Sequence, residues 1–73
     1  MRFDFRNDEI KNRFQVQDHE GTPIPDVLEA DAAKGVLEEE RLRDDGEVEL
    51  CWVTRDFDVV DLMHGTVVAS YRR

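Results

Sequence analysis

The residues with chemistry to offer are few: His19, His64, Cys51, the run Asp18-His19-Glu20, and the aspartates Asp56, Asp58 and Asp61. A general base or a nucleophile works only with a partner held in hydrogen-bond reach. The two imidazoles are far apart in the chain, and His64 falls in a predicted hairpin turn. Cys51 lies inside a strand pattern with no local activating group, which reads as an inert thiol. Asp18, His19 and Glu20 are three hard ligands in succession, but successive side chains of an extended segment diverge, so they read as loop surface. Asp56, Asp58 and Asp61 would attract a divalent cation weakly. They lack the spacing and the glycine of a calcium-binding loop. The sequence has no zinc-type CxxC pair, no phosphate-cradling glycine loop and no serine elbow. The expectation is a protein that is not an enzyme and needs no metal or cofactor.

Seventy-three residues predict a single domain, residues 1–73, with a thin core. At 40% hydrophobic residues and with clear apolar periodicity, the chain is expected to fold. One cysteine excludes an internal disulfide. No apolar run approaches the ~18 residues that span a bilayer, and MRFDFRNDEI lacks a signal-peptide core, so a cytoplasmic protein is expected. A formal net charge of −8 disfavours direct contact with nucleic acid or anionic lipid and favours basic protein surfaces. Tyr71-Arg72-Arg73 is too short to make a nucleic-acid patch.

The elements that must carry these residues follow from periodicity. Met1, Phe3 and Phe5 alternate with Arg2, Asp4 and Arg6, the two-residue period of a half-buried strand. Asn7 and Asp8 supply turn or helix-cap chemistry, and Phe14 and Val16 mark a second strand. The segment DEIKNRF between them is open to either a strand or a helical turn. Two prolines make residues 20–25 a loop. A helix is predicted between Pro25 and Glu40, weakened or split at Gly35. Three strands follow, EVELCWVTR (47–55), FDVVDLM (57–63) and TVVASYR (66–72), joined by short turns into an antiparallel meander. The predicted fold is α+β, in the order β-β-α-β-β-β, with the meander packed on one helix.

Residues 26–45 hold eight acidic against three basic side chains. On a helix, Glu38, Glu39 and Glu40 fan around the axis at about 100° per residue, so no carboxylate ladder forms. Together with Asp44 and Asp45 they could still steer a basic partner through their summed field. The meander gives a second surface. Val48, Leu50 and Trp52 with Val60, Leu62, Val67, Ala69 and Tyr71 form the expected core face under the helix. The opposite face carries Cys51, Val53, Phe57, Val59, Met63 and Val68, and a sheet apolar on both faces needs two covers. The N-terminal hairpin, with Phe3, Phe5, Ile10, Phe14 and Val16, is one candidate. A partner protein or a second copy is the other. The partner-binding expectation therefore rests on Glu38, Glu39, Asp44, Asp45, Cys51, Val53, Phe57, Val59 and Met63.

The short frame from MRFDFRNDEI to ASYRR, with its acidic middle VLEADAAKGVLEEERLRDD, resembles the small acidic phage-encoded regulators that bind host RNA polymerase. The resemblance implies a transcription regulator that docks on the polymerase subunits and inhibits or redirects the enzyme. It carries over no functional residue. The alternatives are an acidic decoy that occupies the basic groove of a nucleic-acid-binding protein, such as a defence nuclease, and a structural homodimer.

Overall fold

The computed structural model describes residues 2–73, which form two antiparallel sheets and one short helix. The order is β1 (Arg2–Asp4), α1 (Asp8–Arg13), β2 (Phe14–Gln17), β3 (Val27–Asp31), β4 (Val36–Leu42), β5 (Val48–Thr54), β6 (Phe57–Asp61) and β7 (Thr66–Tyr71). One sheet has the strand order β1-β3-β4-β5 and the other β2-β6-β7. The α+β description holds only coarsely, because the single helix is six residues long.

That helix settles the open segment near the N-terminus. The Asn7 side chain accepts a hydrogen bond from the Glu9 N–H at the N-cap. Asp8 and Glu9 occupy the first turn and Lys11 and Arg13 the last, as the helix dipole favours. The helix separates β1 from β2, so these strands do not form a hairpin. β1 pairs with β3, and β2 pairs with β6.

The predicted helix over residues 25–40 is replaced by the β3–β4 hairpin. Its turn has a definite local cause. Asp31 Oδ1 accepts the N–H groups of Ala33 and Lys34, the Gly35 N–H donates to the Asp31 carbonyl, and Gly35 takes φ +69°. The β6–β7 hairpin repeats the device: Asp61 Oδ1 accepts the Met63 N–H, the Gly65 N–H donates to the Asp61 carbonyl, and Gly65 has φ +67°. DAAKG and DLMHG are thus two copies of one turn. The alanines, leucines and glutamates around the first copy favour a helix, and tertiary pairing overrides that preference.

The predicted meander also breaks. β6 and β7 pair as expected, but β5 pairs with β4, and the chain changes sheets between Thr54 and Phe57. This redraws the predicted core face: Ala69 and Tyr71 do pack against the core, whereas Leu62 and Val67 are exposed. Phe57 and Val59 are fully buried, together with Phe3, Val16, Ala30 and Leu37, where the inner faces of the two sheets meet. Phe5, Ile10 and Phe14 pack against this core, so the N-terminal segment does supply part of the cover. Val48, Leu50 and Trp52 lie on the outside instead.

Candidate interaction surface

Side chains alternate along a strand, so register decides which face each residue joins. In the four-stranded sheet Phe3, Ala30, Leu37 and Val53 are aligned on the inner face. The outer face holds Asp4, Glu29, Glu38 and Trp52 in one row, with Glu40 opposite Leu50 and Leu42 opposite Val48 in the next two. Leu42, Val48, Leu50 and Trp52 are respectively 76%, 60%, 52% and 48% exposed. They form an apolar strip along β5 and the end of β4, unusual in a chain this charged.

The strip runs onto an arm. Residues 40–50 are all exposed, because β3 stops pairing at Glu39 and only β4 and β5 continue. The arm turns at Arg43–Glu47, where the Arg43 N–H donates to the Glu47 carbonyl and Gly46 takes φ +86°. Asp45 accepts the Glu47 N–H and pairs with Arg43, which leaves Asp44 beside it at the tip.

Charged side chains border the strip. Arg2 lies over the Trp52 ring, 5.9 Å from its centroid, and reaches Glu29 at 2.7 Å. Arg6 bonds Glu38 at 2.6 Å, and Arg55 bonds Glu39 from the inner face at 3.2 Å. The strand geometry places Glu38 and Glu40 on one face, about 6.8 Å apart. With Glu38 and Glu29 already engaged by arginines, the carboxylates do not line up as free phosphate substitutes.

The nine residues expected from the sequence to meet a partner are therefore scattered. Glu38 and Glu39 point to opposite faces, and Asp44 and Asp45 lie at the arm tip. Cys51 and Val53 are half-buried on the inner face, and partial burial together with the adjacent Glu49 carboxylate holds the Cys51 thiol above its ordinary value. Phe57 and Val59 have no surface to offer. Met63 is exposed at the β6–β7 turn, and Leu62, Val67 and Val68 on either side of the turn are exposed as well. The strip on β5 escapes sequence reasoning because the same alternation that exposes Val48, Leu50 and Trp52 also reads as a core face.

The structure brings together one constellation that spacing alone hides: His19, Asp58 and Ser70. Ser70 Oγ donates to Asp58 Oδ1 at 2.6 Å, and His19 Nδ1 lies 3.0 Å from the same oxygen. His19 Nε2 donates to the Tyr71 carbonyl at 2.9 Å. A nucleophilic relay needs the serine on the imidazole. Here both groups converge on the carboxylate, and the histidine latches the residue 18–24 loop to β7. Burial pushes the Asp58 carboxyl up, but the hydrogen bond from Ser70 and the adjacent His19 ring outweigh it and hold it below the usual range. The aspartates do not converge on a cation either. Asp56 accepts the Arg73 N–H, while Asp61 takes Arg13 through Nε at 3.4 Å and Nη2 at 3.0 Å, with His64 Nδ1 at 3.0 Å. Hydrogen bonds from Arg13 and then His64 hold the Asp61 carboxyl well below the ordinary carboxylate range, against the opposing effect of burial.

A cleft of about 510 Å³ is lined by Phe5, Phe14, Ile24, Leu28 and Leu62 together with the polar side chains of Lys11, Gln15, Asp26 and Glu40. Among the described residues no helix is long and apolar enough to cross a membrane. No family model, curated protein or solved structure matches the chain. Fold and surface define a small two-sheet antiparallel domain that presents an apolar strip on a projecting arm.

Proposed function

We propose that the chain is a non-enzymatic interaction protein that docks on a larger protein through the outer face of β4 and β5. The single observation that carries this reading is the strip of Leu42, Val48, Leu50 and Trp52, left in water beside a core that buries Phe57, Val59 and Leu37 completely. Trp52 is the natural anchor, since tryptophan is among the residue types most enriched in binding hot spots. The excess of carboxylates around the arm favours a partner surface with a basic rim, which would speed encounter and set orientation.

The resemblance to small phage-encoded regulators makes bacterial RNA polymerase the first partner to test, with inhibition or redirection of transcription as the consequence. The experiment is binding of the purified chain to purified polymerase, with and without its sigma factor. Binding that Trp52→Ser and Leu50→Ser abolish and Met63→Ser leaves intact supports the assignment. Absence of binding at micromolar concentrations rejects the polymerase, and binding indifferent to Trp52 and Leu50 rejects the surface.

A further inference from the structure

β5 is an edge strand, and its edge differs from the others in the molecule. Proteins blunt sheet edges by shortening them, bulging them or covering them. β1 has three residues, β7 carries a register shift opposite Val59 and Val60, and the outer side of β2 is partly closed by a bridge from Gln17 to Pro23. β5 has none of these devices. Its seven residues pair with β4 in unbroken register, and only Glu47 and Glu49 guard one end.

The hydrogen bonds show which backbone groups are free. The Glu47 carbonyl accepts from Arg43, and the Arg55 N–H donates to Gly35, so the odd-numbered residues of β5 turn their backbone groups toward β4. The N–H and C=O groups of Val48, Leu50, Trp52 and Thr54 therefore point outward. They belong to the residues that carry the apolar strip. The outer half of this edge lies on the two-stranded arm, and such ribbons are marginal in water without a third strand.

We infer that a second copy of this chain supplies that strand, β5 pairing antiparallel with β5 about a two-fold axis at Cys51. Cys51 is the midpoint of Val48–Thr54, so this register uses the full strand. It sets Leu50 opposite Trp52 and Val48 opposite Thr54 as hydrogen-bonded pairs, which satisfies every outward backbone group. It sets Glu47 opposite Arg55 at both ends, giving a charge match that a two-fold interface uses twice. Arg55 meets Glu39 through Nη1, so the rest of its fork remains for Glu47. Each copy's arm then lies against the base of the other's four-stranded sheet. The two apolar strips merge into one outer face spanning both copies. The charge of −8 on each copy opposes the contact at long range, so added salt strengthens the association.

The register has a built-in reporter. Facing residues of a non-hydrogen-bonded antiparallel pair have Cα atoms about 4.5 Å apart, within the span of a disulfide. Diamide, which accepts two electrons and two protons to become the hydrazine, would convert the two Cys51 thiols of a dimer into one disulfide. The test combines sedimentation of the full chain over a wide concentration range with diamide treatment at each concentration. A concentration-dependent dimer is expected, with covalent cross-linking that follows the dimer fraction. Leu50→Pro removes an outward N–H that the monomer does not use, and Arg55→Glu creates like charges at both ends. Each should raise the dimer dissociation constant about tenfold or more while leaving the far-ultraviolet spectrum unchanged. Adding Glu47→Arg to Arg55→Glu should restore association. A chain that stays monomeric at several hundred micromolar overturns the inference. So does a dimer that is indifferent to both substitutions or does not cross-link, or a foreign strand found on β5 of a monomer. None of these results bears on whether the chain binds RNA polymerase.

Discussion

The ring of Tyr71, on β7 of the three-stranded sheet, occupies the space that a side chain at Gly35 would need. Gly35 belongs to the β3–β4 turn of the other sheet, so this contact joins the two layers at one corner. Gly65 holds the same place in the β6–β7 turn with nearly the same positive φ, yet nothing lies near it. The two glycines separate backbone strain from packing. Gly65→Ala should cost about 1–2 kcal/mol from the left-handed backbone alone. Gly35→Ala adds a clash with a half-buried ring and should cost about 2–4 kcal/mol. Urea midpoints of the two variants check the difference, and equal losses would show that Tyr71 moves aside freely.

Stability and binding should map to opposite faces of the sheet. Phe57→Ala empties a fully buried site and should lose about 3–5 kcal/mol, enough to unfold much of a domain this small. Trp52→Ser touches a half-exposed ring and should leave the melting temperature within a few degrees. It should weaken partner binding by about 2 kcal/mol or more, roughly thirtyfold. Thermal melts and titration calorimetry on both variants test the division.

Acid should unfold the protein through its paired aspartates. Asp58 and Asp61 both have folded-state carboxyls below their unfolded value, so the folded state binds fewer protons near pH 4. Their contribution is present above about pH 4 and is lost as the pH falls through the unfolded value toward the folded ones. The urea midpoint should therefore fall between about pH 5 and pH 2. Asp61→Asn should flatten the decline and lower the midpoint at neutral pH. An unchanged slope would mean that Arg13 and His64 do not hold the carboxylate in solution.

The glutamate run should matter for encounter more than for folding. Glu38 and Glu39 pair with arginines that are nearly half exposed, and Glu40 is in water. Replacing all three with glutamine should change stability by about 1–2 kcal/mol at most. If the partner has a basic rim, the association rate should drop severalfold and lose much of its salt dependence, with a smaller change in dissociation. Stopped-flow mixing at two ionic strengths would show it.

What could be read from the chain beforehand followed the strength of the local signal. Asn7 and Asp8 offered turn or cap chemistry but left the segment after them open, and Gly65 after His64 marked a hairpin. The alternation near the N-terminus, at Phe14 and Val16, and in residues 47–55, 57–63 and 66–72 marked strands. Two things were not legible. The segment around Ala30 to Glu40 is built from good helix formers, and only the likeness of DAAKG to DLMHG betrays its turn. The facing of β5 was hidden because its pattern is apolar on both sides. Which side meets the core depends on Leu37 of β4 lying across from Val53, a pairing between strands that neighbouring residues do not encode. The interaction surface inherited that ambiguity. Charge excess and surplus apolar sheet were visible, whereas their placement on Trp52 and Leu50 rather than Phe57 and Val59 required the register.

The matched turns give the molecule an approximate internal duplication. A leading strand and an Asp–Gly hairpin make β1-β3-β4 in one layer, and the same parts make β2-β6-β7 in the other. Subtracting this three-on-three scaffold leaves one strand without a counterpart, β5. The scaffold closes its own core, and the supernumerary strand adds mostly surface. Natural variation that preserves the scaffold could therefore lengthen, shorten or rewrite residues 43–54 with little penalty to folding, and it is there that related chains would diverge to suit different targets.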